Sequence, residues 1–175
     1  IGGGVCAFNP EPMSDFFDAF YIGDAEAGLV ELLRFIADAK MRSRPRREII
    51  EGMAQFKGVY VPSLYKVRFD GANFAGFISE SGAPYPIKAA IAPVLDRSLY
   101  PFPPIVPWLD VVHNRLRAEL NRGCGRGCRF CQAGFVYRPL RERDPEDVIS
   151  ELRANFELTG WDELGVLSLS PTDYT

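Results

Sequence analysis

The chain has 175 residues, 47% hydrophobic and 25% charged, an ordinary globular composition that excludes intrinsic disorder. A net charge of −3 excludes a global field that would draw in nucleic acid, so any such contact needs a local basic patch. No apolar run reaches the roughly 18 residues of a membrane span, and Ile1-Gly2-Gly3-Gly4 has neither the basic nor the apolar region of a signal peptide, so the chain is expected in the cytoplasm.

The first stretch reads as α/β. Ile1 to Gly4 looks like a strand end opening into a Gly-rich turn, and Phe20 to Ile22 a second short strand closed by Gly23. Asp24 is expected to cap a helix carrying Glu26 in its first turn, with Leu29, Leu32, Leu33 and Ile36 as one apolar stripe. This is the pattern of the edge of a doubly wound sheet. With no initiating Met, and with a strand-like run just before Thr175, both ends read as cut, and the chain is expected to be a piece of a longer protein.

Met41 to Arg47 is a basic turn, read as a solvated loop before a helix over Pro45 to Gln55. Gly58 to Phe69 has strand character, Asp70-Gly71 is a turn signal, and Ile87 to Leu95 is another candidate strand. Pro101, Pro103, Pro104 and Pro107 mark an extended connector and a module boundary. The expected organisation is therefore an α/β piece over 1–40, a connecting segment over 41–110 and a second α/β piece over 111–175.

In that last piece Arg115 to Leu120 alternates as a strand, and a cysteine-bearing loop occupies Cys124 to Cys131. Asp144 can cap a helix that starts at Pro145, buries Ile149, Leu152 and Phe156, and ends at Gly160. Leu164 to Leu169 is a strand again. Strand, loop, helix and strand make one βαβ unit and imply a parallel pair. The cysteine loop and Ser170 to Asp173 then both lie at C-terminal ends of strands, where such folds carry their chemistry, and should face each other.

Cys124, Cys128 and Cys131 are three of the four cysteines and sit on a loop with Gly123, Gly125 and Gly127, which allow positive φ and close backbone approach. Cys6 stands alone and is expected to be a small buried hydrophobe. Three thiolates at this spacing can wrap one face of a 4Fe–4S cluster, and its fourth iron would stay open to a ligand that is not protein. The competing reading is structural zinc, which needs a fourth protein ligand. The single histidine, His113, is far from the loop in sequence.

Cys124-Gly-Arg-Gly-Cys128-Arg-Phe-Cys131 resembles the cluster motif of radical S-adenosylmethionine enzymes, including Phe130 before the last Cys. The segment Tyr137 to Asp147, and upstream Cys6-Ala-Phe-Asn-Pro-Glu-Pro12 and Tyr21-Ile-Gly-Asp-Ala-Glu26, resemble a subgroup of that family with an N-terminal cobalamin-binding-like, Rossmann-like domain. The resemblance implies that 1–40 is the edge of that domain and 111–175 the first βαβ unit of a partial (β/α) radical barrel. It implies that the three cysteines bind the 4Fe–4S cluster, and that Phe130, Ser168, Ser170, Thr172 and Asp173 lie against S-adenosylmethionine. Ser170-Pro-Thr-Asp173 stands where Gly-Gly-Glu is commoner in the family. Cobalamin is a further implied cofactor, although the His-Gly motif that ligates it would lie upstream of Ile1.

The implied reaction is reductive cleavage of S-adenosylmethionine to a 5′-deoxyadenosyl radical, fed by a one-electron donor of flavodoxin or ferredoxin type. The substrate is open, with RNA or cofactor modification in view. Arg138, Arg141 and Arg143 are expected either to hold an anion or to pair in solvent with Glu142 and Glu146. The alternative function is a non-catalytic RNA-binding module, in which a zinc- or cluster-stabilised loop presents Arg122, Arg126, Arg129, Arg138 and Arg141.

Overall fold

The computed structural model describes residues 1–80 and 82–175. The chain mixes helices with small sheets and divides into two compact units, Ile1–Ala92 and Pro93–Thr175. Among the described residues no helix is long and apolar enough to cross a membrane.

In the first unit, β1 (Phe20–Tyr21) pairs antiparallel with β2 (Val59–Tyr60), and both strands are buried. The expected strand at Ile1–Gly4 is reduced to one parallel bridge between Gly2 and Phe20. Helix α1 (Leu29–Met41) starts at Gly28, not at Asp24, because a 3-10 turn over Ala25–Ala27 intervenes. Asp24 instead accepts from the Ala92 N–H at 2.9 Å, an acceptor role for which the short polar side chain of a cap serves equally well. The inward stripe of α1 runs through Leu32 and Ala39, with Phe35 and Ile36 beside it. Leu33 falls outside that face and is 51% exposed.

Helix α2 (Arg46–Met53) follows the basic turn. Arg42 pairs with Asp38, Arg46 with Asp18 and Arg47 with Glu51, all in solvent, as a solvated loop requires. After a 3-10 turn at Pro62–Leu64, β3 (Tyr65–Asp70) and β4 (Asn73–Ser79) form a hairpin about the Asp70-Gly71 turn. The Ile87–Leu95 segment is not a strand. Pro86 and Pro93 offer no N–H to a ladder, and among the described residues the segment makes a single parallel bridge, Ala90 to Gly23. There the backbones nearly touch: Gly23 has φ +122°, and a Cβ on it would lie 1.9 Å from the Ala90 carbonyl oxygen.

In the second unit, β5 (Leu116–Glu119) pairs in parallel with β8 (Leu164–Leu167), and α4 (Pro145–Thr159) makes the crossover between them. Asp144 accepts from the N–H groups of Glu146 and Asp147, and Gly160 ends the helix in the left-handed conformation. The buried face differs from the expected one. It is formed by Val148, Glu151 and Asn155, whereas Ile149 is 50% exposed. The cause is Arg143, whose nearly inaccessible guanidinium donates to Glu151 at 2.5 Å and draws that carboxylate inward.

Candidate metal and cofactor site

Two further strands, β6 (Asn121–Arg122) and β7 (Arg141–Glu142), pair antiparallel and clasp the two ends of the cysteine loop. Between them lie the cysteines and the short helix α3 (Ala133–Val136). Gly123, at the loop's root, has φ +90°, and a Cβ there would come within 2.5 Å of the Pro139 carbonyl and 2.6 Å of that of Tyr137. Those two carbonyls also accept from the buried guanidinium of Arg141, at 3.1 and 3.2 Å. Of the three loop glycines, Gly123 and Gly127 use the positive φ that glycine allows; Gly125 does not.

Cys124 and Cys131 are half-buried and Cys128 is exposed. The Arg126 N–H lies 3.4 Å from the Cys124 sulfur, and the Gly134 N–H 3.4 Å from that of Cys131. A turn links Cys131 N–H to the Cys128 carbonyl at 3.0 Å. Among the described residues no three His, Cys, Asp or Glu side chains stand close enough together to hold a metal ion. The donor chemistry nevertheless fits an iron–sulfur cluster: three thiols without a histidine, two of them already met by backbone N–H groups of the kind that stabilise thiolate and sulfide. Cys6 is exposed in a 3-10 turn of the first unit, so its expected burial is not observed.

The loop meets the 3-10 turn that follows β8, Pro171–Asp173, through an ion pair. Arg126 donates Nε to Asp173 Oδ2 at 2.5 Å and Nη2 to Oδ1, a bidentate contact. Ser170 Oγ donates to the same Oδ2 at 2.7 Å. These donors, Arg126 first, hold the Asp173 carboxyl far below its usual range, at about 2. Ser168 Oγ donates to Asn121 Oδ1 at 2.7 Å and accepts from the Ser170 N–H at 3.1 Å. Ser168, Ser170 and Asp173 thus form one hydrogen-bonded group, while Thr172 is exposed and Phe130, 92% exposed, stands outside it. Beside them a cleft of about 400 Å³ opens at the C-terminal ends of β5 and β8, lined by Glu119, Asn121, Arg122, Tyr137 and Ser168.

A network that spacing alone could not reveal lies behind this cleft. Glu119 receives two hydrogen bonds from Arg122, at 2.8 and 2.9 Å, and one from the Tyr100 hydroxyl at 2.6 Å. Burial alone would raise the Glu119 pKa; the hydrogen bonds from Arg122 and Tyr100, with the charges of Arg122 and Arg143, outweigh it and hold the carboxyl below its ordinary value. Arg143 donates to the Glu119 carbonyl as well as to Glu151. Neither Arg141 nor Arg143 is a solvated residue or an open anion site, since both are buried in protein contacts. Arg138 is exposed, over the Phe135 ring and donating to the Gly134 carbonyl. Of the five arginines considered for RNA, Arg122, Arg126, Arg138 and Arg141 are thus engaged by the protein itself. His113 lies beside Arg115.

Residues 1–62 match the family described as radical SAM proteins, N-terminal, which relates this part of the chain to radical S-adenosylmethionine proteins. The chain is also similar to an uncharacterized protein, MJ0966, of Methanocaldococcus jannaschii, with 25% identity over 175 residues. That alignment takes in 99% of this chain and 32% of the relative, so the chain spans about a third of the relative's length.

Proposed function

We infer that the chain is the cluster-bearing part of a radical S-adenosylmethionine enzyme. The observation that carries this reading is the cysteine triplet, without a histidine or a fourth cysteine beside it, on a loop at the C-terminal end of β5 and tied to the end of β8. The family match upstream supports it. In this reading β5, α4 and β8 are the first unit of a (β/α) barrel, and residues 1–40 belong to the edge of a Rossmann-like domain.

Cys124, Cys128 and Cys131 would hold the cluster. Ser168, Ser170, Thr172 and Asp173 would receive the polar head of S-adenosylmethionine, an ammonium group needing acceptors, with Phe130 beside it. When bound and reduced, the cluster supplies one electron for cleaving the sulfonium of S-adenosylmethionine to methionine and a 5′-deoxyadenosyl radical. The chain's own share is to present N–H donors to the sulfurs, keep a carboxylate ionised at Asp173, and leave one iron without a protein ligand. The reading calls for a one-electron donor of flavodoxin or ferredoxin type.

Anaerobic reconstitution of the full-length protein tests it. Four irons and four sulfides are expected per chain, with a visible spectrum that changes on adding S-adenosylmethionine. Cys124→Ala, Cys128→Ala and Cys131→Ala each lose the iron. Uptake of zinc alone would overturn the reading.

A further inference from the structure

We propose that Arg126 is a positioning residue that fixes the cysteine loop over the end of β8 by clamping Asp173. The proposal rests on reading the loop as the cluster loop, while the contact itself is made by protein atoms alone.

Arg126 lies between Cys124 and Cys128, in a stretch with no helix or strand of its own. Its roots are held by Gly123 and the β6–β7 pair, which leave the middle of the loop to be placed by side chains. The fork of Arg126 spans 47 positions in sequence to reach Asp173. Its backbone N–H meanwhile meets the Cys124 sulfur at 3.4 Å, so one residue links a thiol to the second strand's end. A bidentate guanidinium–carboxylate contact fixes orientation as well as distance, which a lysine ammonium cannot do. Ser170 braces the carboxylate from the other side.

The clamp does not exhaust Asp173. A carboxylate has about four acceptor positions, and the two Arg126 hydrogen bonds and that from Ser170 fill three of them. One acceptor remains for a cationic ligand while the clamp stays closed. Asp173 would therefore serve the loop and the cofactor together, and Arg126 would act through it rather than touch the reacting atoms.

Hydrogen exchange of the metal-free full-length protein tests the clamp directly. Arg126→Gln and Arg126→Lys should each speed exchange of the amides over 124–131 by about fivefold, the yield of losing one well-formed surface ion pair, while β5 and α4 stay unchanged. Alkylation of Cys124 should quicken likewise, with exposed Cys6 in the other unit as internal reference. Asp173→Asn should reproduce both effects from the opposite side, covering the case that an Arg126 variant fails to fold. The charge-exchanged pair Arg126→Asp with Asp173→Arg should restore protection. Unchanged exchange in Arg126→Gln and Asp173→Asn, or no recovery in the exchanged pair, overturns the proposal. A protein that takes up only zinc yet shows these exchange effects would remove the radical-enzyme reading and leave the clamp standing.

Discussion

The guanidinium carbon of Arg143 stands 4.0 Å from the centre of the Tyr100 ring. The same ring carries the hydroxyl that donates to Glu119, so one aromatic side chain ties a buried cation to the carboxylate at the end of β5. Tyr100→Phe keeps the ring over Arg143 and loses only the hydrogen bond, a cost of about 1 kcal/mol. Tyr100→Ala loses both contacts and leaves a hole, a cost of about 3 kcal/mol. Urea unfolding of the two variants should separate them in that order; equal losses would mean that the ring contributes nothing.

Arg143 and Glu151 form a buried ion pair, and its two halves are not worth the same when removed singly and together. Glu151→Ala strands the guanidinium and should lower stability by about 3–5 kcal/mol. Arg143→Met combined with Glu151→Leu removes both charges and should recover most of that loss. The double variant's urea midpoint, set beside that of Glu151→Ala, decides the matter. A double variant as unstable as the single one would contradict the expectation.

Glu119 gives the fold an acid-sensitive limb. Because the folded protein holds its carboxyl below the ordinary glutamate value, its ionised form stabilises the fold fully above about pH 4.3. That contribution is lost as the pH falls through the lower folded value. Glu119→Gln should be less stable than wild type at pH 7, and the gap should close on acidification. Denaturation midpoints at pH 7, 5 and 3 measure this, and a gap independent of pH would rule out Glu119 as the source.

Two neighbouring glycines should respond oppositely to a methyl group. Gly123→Ala forces a side chain onto the Tyr137 and Pro139 carbonyls at positive φ, and should cost about 3 kcal/mol. Gly125→Ala meets no atom within 4 Å and should be nearly neutral. Thermal unfolding compares them. Only Gly123→Ala should also lower metal uptake on reconstitution, since it displaces the root of the loop.

Local signals in the sequence carried far where local chemistry decides the outcome. Asp144, Pro145 and Gly160 mark both ends of α4, because a cap is written within a few residues of the helix it closes. Its buried face was not legible. Apolar spacing selects Ile149, but Arg143 pulls Glu151 inward, and the pairing of a buried cation with a carboxylate on the next turn leaves no trace in a hydrophobic pattern. Asp24 misled for the same reason: its partner, the Ala92 N–H, is 68 positions away. At the candidate site the cysteine spacing and the meeting of the loop with Asp173 could be anticipated from strand order. The ladder between β6 and β7, only two residues long on each side, could not, since nothing in Asn121-Arg122 or Arg141-Glu142 resembles a strand.

That short ladder bears on how the proposed cluster would be held. With Asn121 opposite Glu142 and Arg122 opposite Arg141, main-chain pairing alone joins the ends of the cysteine segment. Arg141 holds the Tyr137 and Pro139 carbonyls behind Gly123 and so braces the junction. Closing a loop costs conformational entropy, and here the ladder, not the thiols, closes it. On the proposed reading of the loop, the three sulfurs would converge within a ring that the backbone closes, and they should compete for iron as a chelator built on one frame does rather than as three independent cysteines.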